Sequence, residues 1–256
     1  MTEFSNSLDS LFPDERQRRV MTIYVREDST EIEEVDGWES GVGWLAHPDE
    51  PGQRVSHAVL GDDGVWILDP IDGPGTDELI ESVGDGEVAG VGVCSGFHTR
   101  DSEVFARRYG VEIHVPRWMK GVEESVDATV VRYEDEPGES GFGARKCAPF
   151  LDWTEAIIYR EGDGTVYVPE SLGTAPGYTV GKERLGPPPL RRLGPPRSQI
   201  EDLDVERLVF GHGEGVTDDP EEALRVCFDE ARARLPRAMW EHGGDFLKAV
   251  VEVMRG

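Results

Sequence analysis

The sequence predicts one α/β (α+β) domain in which two packed β-sheets carry helices on their outer faces. With 256 residues and 38% hydrophobic content, the chain is long and apolar enough to bury a sizeable core. Two separate groups of apolar segments joined by turn residues indicate antiparallel hairpins, and a strand, helix, strand alternation lies between the groups. A doubly wound parallel sheet would not account for both hairpins, so a two-sheet sandwich is the predicted architecture.

The beginning of the chain is expected to contribute little to the core. Residues 1–19 form a polar lead-in, and a single domain is predicted over residues 20–256. The β-branched and aromatic run VMTIYV predicts a first strand at Val20–Val25, and a second strand is expected at Gly43–Leu45.

A hairpin is the clearest local signal. The segments VSHAVL and VWILD flank Gly61-Asp62-Asp63-Gly64, a run of turn residues that suits the connection between two antiparallel strands. The second segment is apolar on both faces, which predicts a strand buried in the core. Thr76 then caps a helix that ends at Gly84.

The remaining segments continue the alternation and then return to hairpins. A strand, a helix and a strand are predicted at 88–94, 102–109 and 111–115. A second antiparallel set is predicted at 129–133, 144–147, 156–159 and 166–168. A short strand at 208–210, a helix that opens at Asp219-Pro220 and a closing helix at 246–254 complete the chain.

One segment is predicted to be irregular. Gly173–Pro196 is rich in proline and glycine and carries Leu-Gly-Pro-Pro twice, starting at Leu185 and Leu193. Proline cannot donate a backbone hydrogen bond, so neither a helix interior nor a central strand can run through this segment. We expect a long surface loop over the mouth of the fold.

The chain is strongly acidic along nearly all of its length. Asp and Glu number 52 against 26 Lys and Arg, which gives a formal net charge of -26. Such a charge repels itself until molar salt shortens the Debye length from about 8 Å to about 3 Å, so a salt-adapted protein of haloarchaeal origin is predicted. The alternatives are an acidic surface for a basic partner and acidic disordered arms, which suit the interleaving of acidic and apolar residues less well.

The distribution of basic, cysteine and apolar residues argues against several classes of partner and compartment. Nucleic acid is not an expected partner, because the one basic cluster, around Arg18, has acidic neighbours. Cys94, Cys147 and Cys227 are odd in number and far apart, which argues against disulfides and thiolate zinc sites. Without an apolar run of signal-peptide or membrane length, we expect a cytoplasmic protein with no membrane partner. A small-molecule ligand and a second copy of the chain are the partners left open.

Two of the six histidines directly follow apolar strands. His98 lies in the loop after the strand that ends at Cys94, and His212 lies in a Gly-His-Gly turn where the backbone can approach other groups closely. Loops at the carboxyl ends of strands are where α/β folds usually place functional groups. His114 lies inside a strand, and we expect a structural role for it.

Four segments, in this order, resemble landmarks of the metallo-β-lactamase-fold hydrolases. DGVWILDP is similar to the family's early strand that closes on an aspartate, and VAGVGVCSGFHTRDSEVFARRYGVEIHVP is similar to its metal-loop strand, helix and following strand. DGTVYVPESLGT resembles the strand that carries the bridging aspartate, and LVFGHGEGV resembles the strand that bears the last histidine ligand. The resemblance covers most of the chain and implies a four-layer αββα sandwich of the metallo-β-lactamase type.

The metal-binding motif of that family is degenerate in this sequence. Active members carry His-x-His-x-Asp-His, whose imidazoles and carboxylate help to hold two zinc ions. Matching Asp101 to the aspartate of the motif leaves His98 at a spacer position. The three histidine positions are occupied by Phe97, Thr99 and Ser102. The mid-chain histidine of the family has no counterpart either, so a paired zinc centre is not expected.

The resemblance leaves four candidate metal ligands. Glu170 matches the bridging aspartate, and His212 matches the final histidine. His98 and Asp101 remain in the metal loop. Two imidazoles and two carboxylates are enough ligands for one zinc, iron or manganese ion. The expected cofactor is therefore none or a single divalent metal.

Two functional hypotheses follow. In the first, the chain has lost the dinuclear zinc centre and acts as a binding or regulatory protein. In the second, it is a divergent ester, thioester or phosphodiester hydrolase with one metal ion, which requires His98 and His212 to lie within about a dozen Å of each other. No nucleophile elbow, phosphate-binding or dinucleotide-binding glycine motif follows a strand. Cys94 is expected to be a small core residue and not a nucleophile.

Overall fold

Two β-sheets form the centre of the molecule. The computed structural model describes residues 24–150 and 153–253. Within these residues, the strands of the first sheet are, in their spatial order, β1 (Glu33–Trp38), β2 (Gly41–Leu45), β3 (Val55–Leu60), β4 (Val65–Leu68), β5 (Val88–Gly92), β6 (Ile113–Pro116) and β7 (Val130–Tyr133). The strands of the second sheet are β8 (Gly143–Phe150), β9 (Trp153–Arg160), β10 (Thr165–Val168) and β11 (Arg207–Phe210), in the spatial order β11-β10-β9-β8.

The helices lie outside these sheets. They are α1 (Thr76–Glu81), α2 (Ser102–Tyr109), α3 (Arg197–Ile200) and α4 (Pro220–Val253), with a 3-10 helix at Pro189–Leu193. A membrane-spanning helix, which needs about 20 largely apolar residues in succession, does not occur among the described helices.

The direction of strand pairing determines where functional loops meet. Strands β1 to β4 pair antiparallel in succession, whereas β4 to β7 pair in parallel. In the second sheet, β8, β9 and β10 pair antiparallel, and β10 pairs in parallel with β11. Because parallel strands end at the same edge of a sheet, the residues that follow β10 and β11 are neighbours.

Strand β4 is apolar on both faces because it is covered on both. Val65 and Ile67 pack in one buried cluster with Phe105 of α2. Trp66 and Leu68 belong to a different cluster, which they share with residues of the second sheet. Successive side chains of a strand point to opposite faces, so β4 contributes to two cores.

The second sheet is covered in the same manner. Val166 and Val168 of β10 pack with Leu224 and other apolar residues of α4. Tyr167, between them, belongs to the cluster shared with the first sheet. The three clusters are the three interfaces of a helix, sheet, sheet, helix arrangement, which confirms the predicted four-layer αββα sandwich.

Two residues predicted to belong to the core are confirmed there. Cys94 is 1% exposed, directly after β5. His114 on β6 is buried, and its ring meets Trp66 edge-on with 4.7 Å between ring centroids. Cys94 packs in the cluster that the two sheets share, and His114 contacts Trp66 of the same cluster.

The predicted elements differ from the observed ones at several places. Strand β7, predicted as part of the second antiparallel set, pairs in parallel with β6 in the first sheet. Strand β1 was not predicted, because an edge strand with mostly exposed, acidic residues lacks an apolar alternation. The two helices predicted after Asp219 are one helix, α4, which continues through Pro236.

The predicted lead-in at residues 1–19 lies outside the described residues, as does most of the strand predicted at Val20–Val25. Tyr24 and Val25, the described end of that segment, are not part of a strand.

The proline-rich segment Gly173–Pro196 is not the surface loop that the composition predicts. Pro187–Pro189 are buried, and the following 3-10 helix packs against α4. The fully buried Arg192 donates to both carboxylate oxygens of Glu183, at 2.8 Å each, and to the carbonyl oxygen of Tyr178 at 2.6 Å. This ion pair takes the place of the backbone hydrogen bonds that prolines cannot make.

Candidate metal centre

Both sheets contribute to one cluster of polar side chains. His98 lies in the loop after β5 of the first sheet, whereas Glu170 and His212 follow β10 and β11 of the second sheet. One ligand atom from each of the three lies within 4.8 Å of the other two. The ring centroids of His98 and His212 are 5.7 Å apart, which satisfies the distance that the single-metal hypothesis requires. We call these three residues the His-Glu-His cluster.

Asp69, directly after β4, orients the imidazole of His98. Its Oδ2 lies 2.9 Å from His98 Nδ1, and because a carboxylate only accepts, Nδ1 carries the proton. The buried carboxylate also accepts the Tyr167 hydroxyl at 2.6 Å and the Cys94 amide at 2.8 Å. The φ angle of Asp69 is 48°, a left-handed conformation that non-glycine residues rarely adopt outside functional sites. With Nδ1 held in this way, His98 turns Nε2 towards the cluster.

His212 is oriented through the same ring nitrogen. Its Nδ1 lies 2.7 Å from the carbonyl oxygen of Gly52, which can only accept, so Nδ1 again carries the proton. The ring of Tyr178 stacks on the imidazole with 5.2 Å between centroids and 24° between planes. His212 Nε2 is buried and has no hydrogen-bond partner among the described residues. A buried ring nitrogen without a hydrogen-bond partner is a group that a metal ion would satisfy.

The glycines on either side of His212 are required by the packing. A Cβ atom on Gly211 would lie 2.3 Å from the carbonyl oxygen of Pro169, and Gly213 has a φ of 83°. Any larger side chain at either position would push the Gly-His-Gly turn away from the loop that carries Glu170.

Glu170 joins the two imidazoles. Its Oε1 lies 2.5 Å from His98 Nε2 and its Oε2 lies 3.5 Å from His212 Nε2, while the Tyr178 hydroxyl donates to Oε2 at 3.3 Å. Burial raises the pKa of the Glu170 carboxyl, but His98 and His212 outweigh burial and hold the pKa well below its ordinary value. Glu170 is therefore ionised. Its side chain is 13% exposed, against 4% for His98 and 2% for His212, so it forms the open face of the cluster.

Neighbouring charges act in opposite directions on His98. Burial and the Arg100 guanidinium lower the pKa of His98, but Asp69 and Glu170 outweigh them and raise it above its ordinary value. The carboxylates on either side of the ring thus favour a proton on it. A divalent ion would replace that proton, because metal ligation requires a neutral imidazole.

The His-Glu-His cluster fits a single divalent cation. Tetrahedral ligand bonds of about 2.0–2.2 Å place neighbouring ligand atoms about 3.4 Å apart. His212 Nε2 and Glu170 Oε2 already have this spacing, at 3.5 Å. The 2.5 Å contact between His98 Nε2 and Glu170 Oε1 would lengthen by about 1 Å to reach the same spacing. Two imidazoles and a carboxylate suit zinc, iron or manganese.

Asp101, the fourth predicted ligand, lies outside this cluster. Its carboxylate accepts the backbone N–H of Asp72 at 2.8 Å, because the side chain turns towards the loop between β4 and α1. The preceding residue reaches the site instead, with Arg100 Nη2 at 3.1 Å from His98 Nε2. The metal loop thus directs a histidine and an arginine, and not its aspartate, at the cluster.

A second carboxylate holds the backbone beneath Glu170. The fully buried Glu155 on β9 accepts the backbone N–H of Glu170 at 2.8 Å and that of Ser171 at 3.0 Å, and it also accepts the Ser171 hydroxyl. Burial raises the pKa of the Glu155 carboxyl. Arg191 extends this network by donating to Ser171 Oγ and to Cys147 Sγ, at 2.8 Å each. The network fixes the turn from which Glu170 projects.

Sequence reasoning identifies the three cluster residues but not the groups that orient them. Asp69 carries a recognisable signal, because it ends a strand that is apolar on both faces. Arg100 and Tyr178 carry none, since each acquires its role only when distant segments meet. Glu155 was also missed, because a lone acidic residue in a strand resembles a solvent-exposed position.

The comparisons with known proteins identify the fold. No protein-family model matches the sequence, and no curated protein matches it. Diflavin flavoprotein A 5 (fragment 1–254) from Nostoc sp. PCC 7120 has a similar structure, with a TM-score of 0.54 at 11% identity, over 85% of this chain and all of that one (100%). A metallo-β-lactamase from Pontibacter korlensis gives 0.54 at 13% identity, over 80% of this chain and 99% of that one. A metallo-β-lactamase from Hirschia baltica gives a TM-score of 0.52 at 9% identity, over 78% of this chain and 97% of that one. The chain therefore has the two-sheet, mixed α/β fold of the metallo-β-lactamases.

Proposed function

We propose that this chain is a metal-dependent hydrolase with one divalent ion, held by His98, Glu170 and His212. One observation carries the proposal: both histidines donate Nδ1–H to a fixed oxygen acceptor and turn Nε2 towards the same ionised carboxylate. Imidazoles that serve as metal ligands are oriented in this manner by a partner on the other ring nitrogen.

The residues around the cluster would position the reaction and exclude water from its inner side. Asp69 keeps the His98 ring in one tautomer, and Tyr178 covers the His212 ring while its hydroxyl contacts Glu170. A bound divalent ion would supply Lewis acidity towards water, which is the chemistry needed to hydrolyse ester, thioester or phosphodiester bonds. Substrate would approach over Glu170, the most exposed of the three side chains.

Elemental analysis tests the metal site. We expect one zinc, iron or manganese ion per chain in protein purified at high salt, without chelator or nickel resin. Glu170→Gln and His212→Ala should lose the ion. His242→Ala is the matched control. His242 lies on α4, where it contacts the carbonyl oxygen of Thr179, and it does not belong to the cluster. Wild-type protein without stoichiometric metal, even after incubation with each ion, would disprove the proposal.

The hydrolytic activity is tested separately. Nitrophenyl esters, an acyl thioester and bis(nitrophenyl) phosphate represent the three bond classes. We expect one class to be cleaved, with activity lost on chelation and restored by the ion that elemental analysis identifies. Metal binding without cleavage of any class would leave a metal site but contradict the hydrolase assignment.

A specific contact favours a second candidate function, a metal-free binding or regulatory protein. The Arg100 guanidinium lies beside His98 and supplies a positive charge within the group formed by Asp69 and Glu170. A cluster that contains its own cation is stable without a metal ion. Metal-free protein that binds a small molecule with unchanged affinity in chelator would establish this alternative.

A further inference from the structure

Arg100 is held in the site by its backbone and its side chain together. Its φ angle is 40°, in the left-handed region that a residue with a Cβ atom avoids. The guanidinium Nη1 donates to the carbonyl oxygens of Asp69 at 2.7 Å and Val55 at 3.1 Å. Such strained residues persist only where the surrounding contacts over-determine their conformation.

The second terminal nitrogen of the guanidinium faces the cluster. Arg100 Nη2 lies 3.1 Å from His98 Nε2, and Nε is buried without a hydrogen-bond partner among the described residues. Arginine has only donors, so Nη2 can form a hydrogen bond with His98 only where Nε2 presents its lone pair.

Three groups therefore compete for one nitrogen atom. His98 Nε2 has a single site, which holds either a proton or an available lone pair. Glu170 Oε1 lies 2.5 Å from this nitrogen, and Arg100 Nη2 lies 3.1 Å from it. A metal ion needs the same lone pair, and Arg100 adds like-charge repulsion close to the ion.

We propose that Arg100 is the positioning residue that sets the metal affinity of the site: its guanidinium caps His98 Nε2, so that an ion binds only when Arg100 is displaced. This inference rests on the proposed metal site. It implies that the wild-type chain binds its ion less tightly than the three ligands alone would allow, and that removal of the guanidinium strengthens binding by at least tenfold, or about 1.4 kcal/mol.

The test compares zinc and manganese affinity, by calorimetry, in wild-type protein and in two Arg100 variants. Arg100→Met removes the donors and keeps an apolar stem. Arg100→Gly also removes them and relieves the strained backbone, so that at least one folded variant is available. Arg107→Met is the control, since Arg107 is an exposed residue of α2 that pairs with Glu103 and Asp127, and its loss changes the net charge equally.

We expect tighter binding in both Arg100 variants and wild-type affinity in Arg107→Met. If the wild type binds no ion and the Arg100 variants do, the proposed metal-dependent function of the wild type is disproved, whereas the block by Arg100 is supported. Equal affinity in wild-type and Arg100 variants would overturn the inference while leaving the metal site intact. Absence of binding in every protein would overturn both.

Discussion

At the scale of single residues, Asp69 determines the orientation of the candidate site. Its carboxylate meets three donors, from His98, Tyr167 and Cys94, and is closed off from solvent. An aspartate with three donors cannot be replaced by asparagine without turning an amide N–H towards one of them.

We expect Asp69→Asn to weaken metal binding by about 10–100-fold, because residues that orient a histidine ligand contribute to affinity on this scale. Tyr167→Phe, which removes one donor and leaves the contact with His98, should weaken binding much less. Calorimetric metal titration measures both effects, and circular dichroism verifies that the variants are folded. Unchanged affinity in Asp69→Asn would show that the contact does not orient His98.

The same residue scale shows how far the sequence predicts a site. His98 and His212 were predictable because each follows an apolar strand, and Glu170 because its segment resembles the strand that carries the family's bridging aspartate. Asp101 was predicted by position in a motif, yet its side chain turns to the backbone of Asp72 and Arg100 faces the cluster. Neighbouring residues of a loop can point in different directions, and no pattern in the sequence shows which of the two faces the site.

At the scale of elements, the buried ion pair that holds the proline-rich segment is the most consequential contact. Burial raises the pKa of the Glu183 carboxyl, but hydrogen bonds from Arg192 and Arg234 outweigh burial and lower the pKa. The pair therefore stabilises the fold above the unfolded pKa of about 4.3, and its contribution is lost as the pH falls through the lower, folded pKa.

We expect Arg192→Met to destabilise the protein by about 3–5 kcal/mol at pH 7, because it leaves the buried Glu183 with one cationic partner, Arg234, and one backbone donor, Val180. The double variant Arg192→Met/Glu183→Leu should recover much of this loss, and its stability should fall less than that of the wild type below about pH 4. Urea unfolding across pH measures both. A single variant as stable as the wild type would show that the segment is held by apolar packing alone.

The sequence predicted an element correctly where the segment carries its own apolar pattern. It failed where the element's position depends on which strand or side chain it pairs with. Strands β3, β4 and β10 have apolar runs and turn residues that mark them without reference to the rest of the chain. Strand β7 was assigned to the wrong sheet because a short apolar run does not specify its neighbour. The burial of Gly173–Pro196 depends on Arg192 and Glu183, two charged residues whose pairing composition cannot predict.

At the scale of the whole molecule, the net charge of -26 predicts a fold whose stability depends on salt. We expect the melting temperature to rise by on the order of 10 °C between 0.1 and 2 M KCl, as the Debye length contracts from about 10 Å to below about 3 Å. The triple variant Glu112→Lys/Glu201→Lys/Asp204→Lys replaces exposed carboxylates and brings the net charge from -26 to -20, because each exchange adds two positive charges.

This variant should depend less on salt than the wild type and melt at a higher temperature in 0.1 M KCl. Differential scanning calorimetry of both proteins measures the difference. A wild-type melting temperature that is flat in KCl would contradict salt adaptation. The net charge can be counted from the sequence. The effect of that charge on folding stability cannot, because the effect depends on which carboxylates form ion pairs in the structure.

The hydrogen bond between His212 and Gly52 joins positions 160 residues apart. During synthesis, the loop that carries His98 leaves the ribosome long before β11. More than a hundred further residues must be added before His212 is available to complete the cluster. Contacts of such long range form late, after the local hairpins. Any ion captured by the cluster would consequently arrive only after β11 has left the ribosome, because His212 follows that strand.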